Sequence, residues 1–488
     1  MSSISGKLPI IIQGGMGIAV SSAHMAKIVS QSGNLGVVSG TAIDSVLVRR
    51  LQDGDKVSSV NTDREDTDFI NGSVLRALQY FPDQSVVREI LSRYYIDGGK
   101  NQFTSYVDAP KLSINPQDIS VKLLIVANFV EVFLAKEGHD GLVGINLLEK
   151  IQMATPASIF GAMLAGVDYV LMGAGIPADI PSLITQLLEG KKIKFPVRVE
   201  DSTHPHFLEF DPSIINTVDP TRLKRPSFLA IVSSHILANY LGRDPITRPD
   251  GFVIEGPTAG GHNAPPRSKE NLTPDGQIFF TDKDLADIEK VRALGYPFWL
   301  AGGYSNPQQL EHARSLGATG IQVGTLFALA RESGLTTALR NELITQLHDG
   351  TISVRTEPKT SATGFPFKVV EIKGSMTDPK EYAARTRICD LGYLRSPFQR
   401  EDGGIGYRCT AEPLKTFTFK GGQVEDTSNV KCLCNALMSN IGEAQIRVGH
   451  YVEPPLITLG SDLEGARQLL SQHPQGWSAL DVINYLMN

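Results

Sequence analysis

Short apolar runs, six of nine ending on a glycine-bearing loop, recur through the first two thirds of this 488-residue chain. Nine of them read as strands: residues 9–13, 35–39, 123–128, 142–146, 168–172, 227–233, 251–255, 298–301 and 320–324. They are rich in Val, Ile and Leu and lack polar alternation, as strands buried on both faces do. Amphipathic helical stretches separate them, among them SSAHMAKIVSQSG, PASIFGAMLAG, PSLITQLLEG, DLADIEKVRALG and NPQQLEHARSLG. The last sets Leu310, Ala313 and Leu316 on one face and stops at Gly317. Strands separated by single helices imply a parallel sheet. Eight such units close into a (β/α)8 barrel, an α/β fold. Nine candidates are one too many, and 123–128 is the one expected to be an extra or a helix.

Two segments break the rhythm. Residues 49–121 combine the polar DGDKVSSVNTDREDTD with the helical SVLRALQYFPDQSVVREILSRYY, and read as an insertion after the second strand. Residues 336–488 form a C-terminal extension rich in Gly, Tyr, Arg and Pro, irregular until helices near Ala436 and Leu463. The expected organisation is a barrel over 1–335, including the insertion, followed by the extension. Apolar residues make up 41% and charged residues 20%, an ordinary globular balance. The net charge of −6 leaves no basic footprint for nucleic acid or an anionic membrane. The stretch LLIVANFVEVFLA carries Asn128 and Glu131 and is too short and polar to span a bilayer. The first residues do not resemble a signal peptide, so a cytoplasmic location is expected. Self-association into a homo-oligomer stays open.

In a barrel of this kind the chemistry sits at the C-terminal ends of the strands. The glycines lie there: QGGMG after the first run, SGTA after the second, MGAG after the fifth, EGPTAGGH after the seventh, AGGY after the eighth and VGT after the ninth. Glycine loops whose amides face outward bind phosphate, and the last two barrel strands often form that site. Here they supply Gly302, Gly303, Gly324 and Thr325. One Gly-Gly pair is usually a tight turn, whereas six such loops point to a phosphate-bearing ligand across the barrel mouth.

QGGMG, EGPTAGGH, LAGGY and IQVGTLF, in this order and at barrel spacing, resemble the nitronate monooxygenase superfamily of FMN-dependent barrels, which includes FMN-dependent enoyl reductases. The resemblance covers roughly residues 8–335. It implies FMN as cofactor, with Gly14, Gly15 and Met16 against the flavin. It also implies an asparagine at the end of an early strand, for which Asn146 and Asn128 compete. Gly173, in MGAG, belongs to the same ring of loops. The phosphate falls to Gly260, Gly261, Gly302, Gly303, Gly324 and Thr325. His262 follows the glycines directly and is the candidate catalytic residue; neutral, it can take a proton, and charged, it can give one. The alternative is a histidine that orients its loop by hydrogen bonding. The chain departs from compact members in its insertion, its extension, and the Asn-Ala-Pro-Pro-Arg after His262.

Other residues read more plainly. Glu255 at a strand end suits a structural role, bonding amides of the glycine loop. His139, Ser233 and Ser234 read as ordinary loop and strand-end residues. The four cysteines, Cys389, Cys409, Cys432 and Cys434, fall within 46 positions, which suits a tetrahedral zinc, favoured over an iron–sulfur cluster, or else reduced thiols. In the zinc reading, LKTFTFK and Gly421-Gly422 make a hairpin that returns Cys409 to Cys432.

The expected activity is that of an FMN-dependent oxidoreductase acting on a small nitronate. The alternatives are an enoyl-thioester reductase using NAD(P)H on acyl chains held by an acyl carrier protein, and a flavin-binding partner of a biosynthetic assembly. A non-redox isomerase or lyase on a sugar phosphate is weaker, since only Glu255 and Lys150 offer themselves as its acid and base.

Overall fold

The computed structural model describes residues 8–57, 66–216, 218–268 and 271–488, so part of DGDKVSSVNTDREDTD lies outside the described residues. Eight of the nine apolar runs become parallel strands: β1 (Ile11–Gln13), β2 (Gly36–Ser39), β3 (Val143–Leu148), β4 (Tyr169–Gly173), β5 (Ser227–Val232), β6 (Gly251–Glu255), β7 (Phe298–Ala301) and β8 (Gly320–Val323). They pair in chain order from β2 to β8, and β8 pairs with β1 in the register Ile11↔Ile321. The seam between β1 and β2 closes through the Ile12↔Leu35 bridge, where Leu35 N donates to Ile11 O and Gln13 N to Leu35 O, both at 3.0 Å. The result is a closed (β/α)8 barrel.

The run 123–128 is helical, inside Asp118–Lys136. Its length decides this: nineteen residues of nearly continuous apolar sequence exceed any barrel strand, and the helix buries residues on most of its faces. The strands have period 2, so alternate side chains enter the lumen. Ile12, Leu35, Val37, Leu171, Leu229, Val253 and Trp299 fill it as one cluster, and Trp299 Nε1 donates to Pro9 O at 2.8 Å. The intervening positions join the larger core between sheet and helices.

The insertion is ordered where it is described. Helices Ser73–Leu78 and Gln84–Tyr94 bury Val74, Ala77, Val86 and Ile90 against the main core. Arg49, 1% exposed, ties insertion to extension by donating to Glu443 O and, at 3.4 Å, to Asp108 Oδ1.

The extension is more regular than its sequence suggests. It holds the hairpins Val354–Glu357 with Phe367–Val370 and Ser396–Gln399 with Ile405–Arg408, and six helices. Its last helix, Ala479–Met487, packs between Ala23–Gln31, the helix after β1, and Pro307–Ser315, the helix after β7. This is the position of the eighth outer helix. Residue 335 therefore ends the last barrel turn in sequence but not the barrel in space.

Trp477, fully buried, anchors the returning chain through Nε1 to Leu326 O at 2.8 Å. Trp477→Ala is expected to destabilise the whole protein by about 3–5 kcal/mol in chemical denaturation, as for other buried aromatic truncations. A cost below about 1 kcal/mol would mean that the terminal helix is dispensable to the barrel.

Candidate active site

The loops after β1, β6, β7 and β8 surround a cavity of about 840 Å3, open to solvent. Gly14, Gly15 and Met16 form one wall; Gly260, Gly261, Gly302, Gly303, Gly324 and Thr325 form the other. Gly15 lies so close to Asn146 that a Cβ would fall 2.2 Å from the asparagine Cβ. Asn146 thus stands behind the first loop, at the lumen end of β3. Asn128, its rival, sits inside a helix and donates to Leu124 O at 2.8 Å. Gly173 ends β4 and packs on Ile231, outside the cavity wall.

Gly302 has φ +78°, and a Cβ there would meet Gly256 O at 2.7 Å and Ala259 N at 2.9 Å. Only glycine lets these two loops pack. Among the described residues, the amides of Gly302, Gly303, Gly324 and Thr325 donate to no protein acceptor. These residues are half-buried on the cavity wall, so their amides are free to meet an acceptor brought by a ligand. Ala19, Ala42 and Ala174, just past β1, β2 and β4, hold left-handed φ of 49°, 58° and 55°. Such strain costs roughly 1–3 kcal/mol per residue and gathers at functional sites.

The extension supplies part of this site, which sequence reasoning missed. Thr458, Leu459, Gly460 and Asp462 line the cavity. Thr458 Oγ1 accepts from Gly261 N at 2.7 Å, Gly460 N donates to Thr325 Oγ1 at 2.9 Å, and Ser461 N donates to Thr258 O at 2.9 Å. Gly261, expected to offer its amide to a phosphate, spends it on this strap. The glycine in ITLGSD was the one available signal, and nothing in the sequence tied it to a loop about two hundred residues earlier.

His262 turns toward the extension. Its Nε2 lies 2.7 Å from Ser361 Oγ, its ring meets Phe367 edge-on, and it forms an antiparallel bridge with Phe367. It is absent from the glycine cavity's walls. Burial, with a smaller push from the Lys150 cation, lowers its pKa to about 4. The ring is therefore neutral near pH 7 and can accept a proton but has none to spare as a cation.

Glu255, read from sequence as structural, does line the cavity. It follows Val253 at period 2, so its side chain enters the lumen end of β6. It makes no hydrogen bond to the glycine loop among the described residues. Burial lifts its pKa to about 7, against the opposing pull of the Lys368 ammonium. Gln322 faces the same space from β8, and its Oε1 is buried without a donor.

The cysteines do converge, together with Lys431 and Glu412, around a separate cavity of about 310 Å3. Among the described residues, however, no three His, Cys, Asp or Glu side chains are grouped to hold a metal, so the zinc reading is not met. The segment expected to form a hairpin is helical at Leu414–Phe419 and ends in a 3-10 turn, Val424–Thr427. Pro413 starts that helix, Gly421 at φ +82° stops it, and of its two phenylalanines only Phe417 is buried, while Phe419 is 91% exposed. All four thiols are free, and burial pushes their pKa values up, that of Cys434 to about 12. They are protonated thiols in an apolar setting, the ordinary state of buried cysteine.

Residues 228–385 match the family described as nitronate monooxygenase. A curated protein of Mycobacterium tuberculosis (strain ATCC 25618 / H37Rv), (3aS,4S,5R,7aS)-5-hydroxy-7a-methyl-1-oxo-octahydro-1H-indene-4-carboxyl-CoA dehydrogenase, is 25% identical over 138 residues, 28% of this chain and 34% of the relative. The chain thus spans about a third of that relative's length. Among solved structures, nitroalkane oxidase from Streptomyces ansochromogenes is 15% identical, with 98% of this chain and 94% of that one covered and a TM-score of 0.41. FabK from Thermotoga maritima is 17% identical, covering 75% and 72%, with a TM-score of 0.37.

Removing the His262 ring should change how stability depends on acidity. Because the folded pKa lies below the unfolded value of 6.5, the wild type loses stability as pH falls from about 6.5 to about 4. His262→Gln should lack that loss, so the gap between the two proteins should move by up to about 3 kcal/mol over the window, measured by urea denaturation at several pH values. A constant gap would show that the ring is protonated as freely in the folded chain as in the unfolded one.

Proposed function

We propose that this chain, whose residues 228–385 match the nitronate monooxygenase family model, is an oxidoreductase that works with FMN laid across the barrel mouth. The observation that carries the reading is the set of amides at Gly302, Gly303, Gly324 and Thr325, half-buried around the mouth and without protein acceptors among the described residues. A phosphate oxygen satisfies such groups, and charge-assisted bonds to it are the strong ones. Gly14, Gly15 and Met16 would then flank the ring system, and Gln322 Oε1, which lacks a donor, would be available to accept from a ligand N–H. Bound FMN would supply two-electron redox chemistry; the protein orients it and sets its electrostatics.

For the substrate we propose a small nitronate, oxidised with oxygen, in keeping with the family. His262, which stands off the cavity wall, fixes the glycine loop through Ser361. A second reading has one observation in its favour. Glu255 in the cavity is an acid with a pKa of about 7, and reduction of an enoyl thioester by NAD(P)H needs a proton donor. An acyl carrier protein would present such a substrate.

Acid treatment of purified protein should release FMN, and Gly302→Ala should cut its retention sharply while leaving a folded chain. Recovery of FAD, or of no flavin, would overturn the reading. Anaerobic mixing separates the two substrates. Under the first, propane-2-nitronate bleaches the flavin and oxygen restores it. Under the second, NADPH bleaches it and crotonyl thioester restores it.

A further inference from the structure

The buried pair Glu255 and Lys368 has no place in the fold's ordinary economy of polar groups. Glu255 sits at the lumen end of β6 with Ala301 beside it in register, so nothing bulky separates it from the cavity. Lys368, 1% exposed on the extension strand Phe367–Val370, acts on it through space without a direct ion pair among the described residues. Its ammonium donates to Pro257 O at 2.7 Å, Thr356 Oγ1 at 2.8 Å and Asn263 Oδ1 at 3.0 Å. All three of its protons are used, so it cannot swing toward or away from the carboxyl. It acts on Glu255 as a fixed charge, and each shifts the other's pKa. The other ionisable side chains on the cavity wall are Tyr304, whose pKa burial raises, and Asp462, which accepts from Gln309 Nε2 at 3.3 Å.

We propose that Glu255 is the proton-exchanging group of the cofactor cavity, taking up one proton when the bound flavin is reduced and releasing it when the electrons leave. The inference rests on the FMN reading above. Reduction by a reduced nicotinamide brings in a hydride, two electrons and one proton, and adds one negative charge to the cavity. A second negative charge on Glu255, on the wall of the same cavity, is repelled by the first. Glu255 therefore takes a proton from solvent, and the carboxylate becomes a carboxylic acid. When the substrate removes the electrons, that proton returns to solvent or follows them to the substrate. The fixed Lys368 charge opposes the upward push of burial, so the carboxyl is ionised beforehand above about pH 7.

The test compares wild type, Glu255→Gln, Glu255→Asp and Lys368→Met as flavin-loaded proteins. Each is reduced anaerobically with NADPH or, failing turnover, photochemically, in weak buffer with a pH indicator. At about pH 8, above the carboxyl's value of about 7, wild type should take up about one proton more per flavin than Glu255→Gln. At about pH 5, where Glu255 is protonated in both redox states, the two should agree. Infrared difference spectra at the higher pH should show a carboxylic-acid carbonyl band on reduction, absent from Glu255→Gln. Glu255→Asp should keep both signals, which covers a Gln variant that folds poorly. Lys368→Met should raise the carboxyl's pKa, so its extra uptake should fade at about pH 8 and return at higher pH. Equal uptake in wild type and Glu255→Gln at the higher pH, with no carbonyl band, overturns the proposal. Wild type that carries no flavin overturns the FMN reading itself, a separate failure visible before any reduction.

Discussion

One buried ammonium holds the two parts of this protein in register. Lys368 lies on an extension strand, and its three hydrogen bonds end on Pro257, Asn263 and Thr356. Two of those acceptors belong to the loop after β6 and the third to the partner strand of its own hairpin. An isolated ammonium would cost several kcal/mol to bury, so the site persists only because every donor is met and a carboxyl lies near. Around it the backbone follows suit: Lys368 N donates to Gly261 O and Asn263 N to Pro366 O, each at 2.9 Å. The glycine loop is thus sewn to the extension along its length. Its conformation, the direction of His262 and the shape of the cavity all follow from that seam.

The same seam explains why the extension cannot be a separate appendage. A barrel mouth built only from strand-end loops would be open above Gly260. Here Leu459 packs against that glycine, whose Cβ would fall 2.8 Å from the Leu459 carbonyl carbon. The chain then runs on through Trp477 to supply the outer helix that covers the joint between β8 and β1. Roof and eighth helix come from one stretch, so loss of the latter would disturb the former.

The barrel was legible because its signals are local. A buried parallel strand is a short apolar run, and the glycines that follow it mark the end where ligands sit, so β1 to β8 and most of the cavity wall could be read along the chain. The false strand at 123–128 was marked by the count of nine runs, and the structure makes it part of a nineteen-residue helix in which Asn128 bonds Leu124 O. What escaped was non-local. Nothing about Lys368 in FPFKVV announces that it will be buried against Pro257. Glu255 looked structural because its partner lies more than a hundred residues away. LKTFTFK alternates like a strand, yet flanking Pro413 and Gly421 settled it as a helical turn. The cysteines gathered as their spacing suggested, but in apolar surroundings that favour thiols over thiolates.

The strap at 458–462 also bears on the order in which the molecule can be made. Strands, glycine loops and the Asn146 support all leave the ribosome well before residue 458, and N-terminal parts of a chain generally begin to fold as they emerge. Until the strap arrives, the amide of Gly261 and the hydroxyl of Thr325 lack the partners they have in the finished protein. A nascent barrel would therefore hold an unroofed mouth, and the last segment translated is the one that closes it over Gly260.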